Sequence, residues 1–140
     1  MVNINFWAVL VSAIASFIIG WLWYGPLFGK KWMALSHVTP EMMTDGKNKN
    51  MTKQIIFSFV GSLVMAFVLK HNIVFGSAYL NMYGISAGIQ AGFWNWLGFM
   101  APISMHRVLW EKRSWSLWFL DNAYYLVSLL VMGSILAVWI

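Results

Sequence analysis

Four apolar stretches, at about residues 5–24, 54–75, 83–104 and 115–140, alternate with short polar segments along the chain. Each is close to the roughly 20 residues that a helix needs to cross about 30 Å of hydrocarbon. No segment alternates apolar and polar residues with period two, and a backbone in lipid must satisfy its own hydrogen bonds, so helices are the expected spanning element. The second stretch is the weakest, because its uninterrupted apolar part stops at Leu69; Lys70 is expected to snorkel to the surface and let 73–75 complete the span. The pattern predicts an all-α polytopic membrane protein, a four-transmembrane-helix bundle.

Small residues recur along three of these helices at i, i+4 and i+8: Ser12, Ser16 and Gly20; Ser58, Ser62 and Ala66; Gly84, Gly88 and Gly92. Each set lies on one helix face. Helices in lipid associate largely through close packing of such faces, so the stripes predict a compact bundle, packed within one chain or also between subunits. The fourth helix offers only Gly133 and Ala137.

Composition agrees with the pattern. Hydrophobic residues make up 61% of the 140 and charged residues 9%, too few to cover a water-soluble surface. The length suits one domain. Residues 1–5 lack the positive start of a signal peptide, and the apolar run continues past the cleavage-like "AIA" at 13–15, so the first helix is expected to be retained. Cysteine is absent, which excludes disulfides and thiolate chemistry. The net charge of +5 is concentrated in two loops beside apolar runs and marks topology, not a nucleic-acid surface.

Loop charge then gives direction. Residues 25–53 carry Lys30, Lys31, Lys47, Lys49 and Lys53 against Glu41 and Asp45; residues 104–114 carry Arg107, Lys112 and Arg113 against Glu111; the other side has only Lys70. Lys and Arg favour the cytoplasmic side, so both termini are expected outside the cell (inner) membrane and both basic loops inside. In "WLWYGPLFGKKW" (21–32), Trp21, Trp23 and Tyr24 would form the inner aromatic belt, Gly25-Pro26 would end the helix, and Lys30, Lys31 and Trp32 would meet the headgroups, with Trp7 and Trp139 at the outer belt. Thr39 as N-cap, Pro40 at the first helical position, Glu41 in the first turn and Gly46 as a stop predict a short surface helix in the first cytoplasmic loop. "KNKN" (47–50) reads as linker, and the sequon Asn50-Met51-Thr52 falls on the wrong face for glycosylation. "MHRVLWEKRSW" (105–115) reads as an interfacial turn or short helix. Pro26 and Pro102, each followed by a basic pair and a Trp, hint at a tandem repeat of two hairpins with unequal spacing.

Asp121 stands out as an acid inside a span, roughly 9 Å beyond Trp115 at 1.5 Å per residue. A carboxylate there costs on the order of 3 kcal/mol unless paired, protonated or hydrated. Tyr124, Tyr125 and Ser128 follow on its face. Asn95 projects from the glycine face of the third helix, within side-chain reach of Asp121 if those helices touch, and His106 and Arg107 follow at the same end. Asn95, His106, Arg107, Glu111, Asp121 and Asn122 are thus candidates for a polar cavity opening inward. Plainer roles stand beside this one: a salt bridge of Asp121 to Arg107 or snorkelling to headgroups, an interhelical hydrogen bond for Asn95, and headgroup contacts for Arg107, Lys112 and Arg113. Trp94 and Trp96 either fill core or line a pocket for an apolar or cationic ligand. His37, His71 and His106 lie in separate loops without ligand spacing, so no metal or haem is expected. No zinc-helix motif, nucleophile elbow or phosphate loop occurs, and no cofactor is implied.

"IGWLWYGPLFGKKWMAL" (19–35), "GFWNWLGFMAPIS" (92–104) and "WEKRSWSLWFLDNAYYLVSLLVMGSILAVW" (110–139) resemble the small multi-pass membrane proteins of domain of unknown function family 1761, over nearly the whole chain. The resemblance implies four transmembrane helices and no established activity. It places the family's acidic position after the third helix on Glu111, whereas the position of Asp121 is often uncharged, so Glu111 is the mouth carboxylate with the more general role. The expected function is transport or ligand binding by a bundle in contact with membrane lipids. The size is that of small multidrug transporters, whose acid in the first helix has no counterpart here. The alternative is a scaffold or accessory subunit, as a homo-oligomer or within a membrane complex, with no nucleic-acid partner. A membrane enzyme acting on lipid-like substrates through Glu111 and His106 comes third.

Overall fold

The computed structural model describes residues 4–44 and 52–139. Gly46 as a helix stop, the 47–50 linker, most of the sequon, and Asp45, Lys47 and Lys49 of the first basic loop lie outside the described residues. Among the described residues the protein is helical without strands.

Helix α1 (Phe6–Leu22) is started by Asn5, whose Oδ1 accepts from the Trp7 and Ala8 amides at 3.0 and 3.3 Å. Gly25-Pro26 do not end it. The run continues through a π turn (Trp23–Leu27) that contains Pro26, with the Phe28 amide donating to the Trp23 carbonyl at 2.8 Å, and breaks only at Phe28 (φ −125°, ψ 8°). A proline inside an α-helix removes a donor and clashes with the carbonyl four residues back; the wider π turn accommodates both problems. Helix α2 (Gly29–Ser36) follows directly. Gly29 is required there, because a Cβ would lie 2.6 Å from the Tyr24 carbonyl oxygen. Helix α3 (Pro40–Thr44) is short and begins where expected, with Thr39 Oγ1 accepting from the Met42 amide at 3.3 Å.

Helix α4 (Thr52–Leu80) runs 29 residues, well past the predicted 54–75. Lys70 neither interrupts it nor snorkels. It is 5% exposed, and its Nζ donates to the Leu136 carbonyl at 2.7 Å and to that of Trp139 at 3.5 Å. The ammonium group therefore caps the C-terminus of another helix, where backbone acceptors lack partners and the helix dipole favours positive charge.

The third apolar stretch is one helical run in three parts: α5 (Gly84–Asn95), a π turn (Trp96–Met100) and α6 (Ala101–Leu109). Pro102 follows that turn directly, so both prolines of the suspected repeat sit in or beside a π turn. Lys112 adopts φ 56° and the Arg113 amide closes on the Arg107 carbonyl at 3.2 Å, ending the run. Helix α7 (Trp115–Val138) begins at Ser114, whose hydroxyl accepts from the Leu117 amide at 3.1 Å.

Three helical segments, Phe6–Leu27, Thr52–Leu80 and Trp115–Val138, are long and apolar enough to cross a membrane. Their outer faces carry exposed rings such as Trp7 and Phe57, consistent with a lipid environment.

Helix α7 is the hub, in contact with α1, α4 and α5, and the core includes Ala8, Ala66, Leu69, Met132 and Leu136. The small stripes account for how closely the helices approach. Gly88 and Gly133 face each other so tightly that a Cβ on either would enter the other's backbone carbonyl, and one on Gly92 would lie 2.6 Å from the Leu129 oxygen. Ser12 and Ser16 are fully buried, and Gly20 gives room to the Tyr124 hydroxyl. Ser62 and Ala66 are buried on α4. Two expected stripe members do not pack. Gly84 is exposed and instead supplies the left-handed backbone (φ 64°) that opens α5, and Ser58 is exposed on the wall of an open cleft shared with Phe17, Trp21 and Tyr124.

Candidate functional site

Asp121 lies near the start of α7, half-buried, and its partner comes from the other end of the sequence: the Tyr24 hydroxyl donates to Oδ1 at 2.7 Å. Ordinary helix geometry puts it there: Tyr24 lies one turn after Gly20, which faces Tyr124 of α7, and Trp23 Nε1 also donates to the Leu120 carbonyl at 3.2 Å. Trp23 and Tyr24 are therefore half-buried pieces of the α1–α7 contact, whereas Trp21 points outward, 67% exposed. Tyr24 stacks edge-on against Tyr124 (centroids 5.1 Å apart) and Trp32 (5.8 Å), which draws α2 over the same place. Lys30 and Lys31 stay exposed.

The adjacent residue is held from the other side. Asn122 is buried, and its Nδ2 donates to Ser104 Oγ at 2.9 Å and to the Trp118 carbonyl at 3.0 Å. Ser104 Oγ also accepts from Trp118 Nε1 at 3.0 Å, leaving its own proton for the Ala101 carbonyl at 3.1 Å. These bonds fix α6 against the first two turns of α7.

Between the Tyr24 side and the Ser104 side lies a cavity of about 110 Å³, bounded by Trp32, Ser36, Arg107, Trp118, Asp121, Asn122 and Tyr125. An open cleft of about 590 Å³, with Tyr24, Lys30 and Met33 on its walls, adjoins it, and the two spaces share Trp32, Arg107, Asp121 and Tyr125. At about 30 Å³ per water the inner chamber holds a few waters or one small polar group.

Of the residues expected at a shared mouth, Arg107, Asp121 and Asn122 come together. The others do not. Asn95 pairs with α4: Asn72 Nδ2 donates to its Oδ1 at 3.0 Å, while its own Nδ2 donates to the Ala91 carbonyl at 2.8 Å. The glycine face packs on α7 at Leu129 and Gly133, and Asn95, three residues beyond Gly92, turns to α4 instead. His106 is exposed in the last turn of α6, and Glu111 lies outside the cavity, paired loosely with Arg107 and Arg113 at 3.7 Å each. Such exposed pairs contribute about 0–1 kcal/mol. The expected Arg107–Asp121 salt bridge is therefore not formed, although both residues line one space. Trp96 packs against the core and Trp94 is 61% exposed. Among the described residues no three His, Asp or Glu side chains gather as a metal site.

Sequence reasoning missed Tyr24, Ser36, Ser104 and Trp118 as site residues. A usable signal existed for Tyr24, since it continues the Ser12, Ser16 and Gly20 spacing by one more step of four and so shares their helix face. Ser104 lay at the predicted end of a span and offered none. Loss of the phenol proton donor isolates the Tyr24 contribution: Tyr24→Phe is expected to destabilise the detergent-solubilised protein by about 1.5–3 kcal/mol, the range for hydrogen bonds to a charged group. Asp121→Asn, which keeps an acceptor for Tyr24, should cost less. An unchanged unfolding midpoint for Tyr24→Phe would remove this bond from the account.

No curated protein and no solved structure matches the chain. A family model does, over residues 7–137, a range that contains both π turns and every cavity residue named above, and on that match the chain belongs to the family described as Protein of unknown function (DUF1761).

Proposed function

We propose that the chain is a ligand-binding or transport bundle of four membrane-crossing helices whose polar cavity at Asp121 opens to the cytoplasm. The observation that carries this reading is a carboxylate within an apolar helix that lines an open cavity and has no cation at ion-pair distance among the described residues. An ionisable group in a membrane segment is costly, and one left without a counter-charge beside a cavity is placed for a ligand or a transported ion. The fourth crossing is residues 84–109, which at 1.5 Å per residue extend roughly 39 Å, enough for the hydrocarbon even with a π turn in the middle.

Orientation follows from charge. Lys30, Lys31, Lys53, Arg107, Lys112 and Arg113 fall at one end of the bundle, and with Lys70 drawn inside to cap α7 the other end has no exposed Lys or Arg among the described residues. The basic end is cytoplasmic by the positive-inside rule, both termini are outside the cell membrane, and α3 lies on the inner surface. A scaffold or accessory role, as a homo-oligomer or within a membrane complex, has one observation in its favour. Helix α4 buries only Ser62, Ala66, Leu69, Lys70 and Ile73 and leaves the rest of its length for lipid or another subunit.

The absence of cysteine in the chain allows a direct test. Ser36→Cys places a thiol in the cavity and Tyr83→Cys places one in the loop between α4 and α5. A membrane-impermeant maleimide should label the first only from the cytoplasmic face and the second only from outside. Labelling with the faces exchanged would overturn the orientation, and a position 36 inert from both faces would overturn the open cavity.

A further inference from the structure

We infer that the Asp121 cavity receives a zwitterion, with a protonated amine on the carboxylate and a phosphate on the basic side chains beside it. The inference rests on the ligand-binding reading above and adds the chemistry of the ligand.

The site displays both signs of charge without letting them neutralise each other. Tyr24 occupies Oδ1 of Asp121, and Oδ2 makes no hydrogen bond among the described residues. Arg107 lines the same chamber, yet its Nε is 3.7 Å from Glu111. Arg113, also on the chamber wall, shares that one acid at 3.7 Å, so two guanidinium groups stand against a single exposed carboxylate. Lys30, on the wall of the outer cleft, has no ion pair among the described residues. Asp121 and Arg107 line both spaces, Arg113 the chamber and Lys30 the cleft, so an acid without a counter-ion among the described residues and surplus positive charge border one cavity.

A plain anion in this space would be attracted by the basic side chains and repelled by Asp121. A plain cation would meet the reverse. A molecule carrying both charges satisfies both, and complementarity of this kind sets specificity more than total affinity. Phosphate suits the basic side chains, since guanidinium presents paired donors to it. A primary ammonium suits the carboxylate. It can donate to Oδ2, and the faces of Trp32 and Tyr125, which border both spaces, favour a cation beside them. The chamber of about 110 Å³ admits one small charged group and little more, whereas the cleft of about 590 Å³ leaves room for what is attached to it. Two sources present this chemistry: an aminoethyl phospholipid headgroup reaching in from the inner leaflet, or a free aminoalkyl phosphate from the cytosol.

The test uses the full chain in a neutral maltoside detergent and four probes. Phosphoethanolamine and glycerol phosphate are the free pair; dihexanoyl phosphatidylethanolamine and dihexanoyl phosphatidylglycerol are the lipid pair. Within at least one pair the amine-bearing probe should bind about tenfold or more tightly by calorimetry, the scale of one charge-assisted hydrogen bond. Asp121→Asn should abolish that preference, and Arg107→Gln should weaken the amine-bearing probe about tenfold. Preference confined to the lipid pair identifies a headgroup as the source, and preference confined to the free pair a soluble phosphate. Equal binding within both pairs, a preference that survives Asp121→Asn, or no binding at all overturns the inference. If Asp121→Asn does not fold, the comparison within each pair on the unsubstituted protein decides. Labelling of Ser36→Cys separates the two levels: a cavity open to the cytoplasm that binds no probe sinks only the zwitterion, and a closed one sinks the ligand-binding reading beneath it.

Discussion

Gly88→Ala is expected to destabilise the protein by about 3 kcal/mol or more, the upper range for forcing an extra carbon into packed structure. The new methyl would enter the Gly133 carbonyl and lie 2.9 Å from the Ala137 Cβ. Neither neighbour can swing aside, because one is helix backbone and the other has no rotamer to change. The interface is reciprocal, so Gly133→Ala should behave in the same way, and α5 and α7 must separate in either variant. In lipid this close approach supplies much of the attraction between the helices, through dispersion and Cα–H contacts to carbonyl oxygens. Separation would also carry α6, and with it Ser104 and Arg107, away from Asn122. Gly61→Ala is the control. Nothing lies within 4 Å of a Cβ there, and replacing a helical glycine should stabilise by up to about 1 kcal/mol. Unfolding by titration with a denaturing detergent measures both variants, and similar midpoints for Gly88→Ala and Gly61→Ala would refute the packing account.

Lys70→Glu should be nearly as damaging, costing about 3 kcal/mol or more. The substitution sets a carboxylate against the Leu136 and Trp139 carbonyls, with no donor to offer them, at the negative end of the α7 dipole. Lys70→Met should be much milder. It loses the cap but also removes the cost of holding an ammonium group out of water, and these terms oppose each other. The same titration distinguishes the outcomes. If Lys70→Glu unfolds like the unsubstituted protein, Lys70 snorkels after all.

The helical character, the positions of the apolar runs and the small-residue faces were legible because each follows from local pattern: apolar length, helical periodicity and side-chain size. Residue roles were legible only where one helix sufficed to define them. Thr39 caps α3 as read, since capping is a contact within four residues. Lys70 was read as snorkelling because the sequence holds no sign that 136 and 139 end beside it. Tyr24 was read as an interface ring because aromatic residues near a span end usually are, and its bond to Asp121 shows that it lies on the face Gly20 presents to α7. Asn95 and Asp121 have comparable depths, but a cavity needs a shared face as well as a shared depth, and the packing order around α7 puts them on different sides.

The pattern of apolar runs was enough for the helices, three of them long and apolar enough to cross a membrane. Glycine spacing also marked the face of α5 that meets α7 at backbone distance, at Gly88 and Gly92 but not at Gly84. Tertiary structure decided what each polar side chain does. A hydroxyl, amide or ammonium group is defined by its partner, and here the partners are 97 residues apart for Tyr24 and Asp121 and 66 for Lys70 and Leu136. Separations of that size are set by the order in which helices pack around α7, which no local pattern encodes.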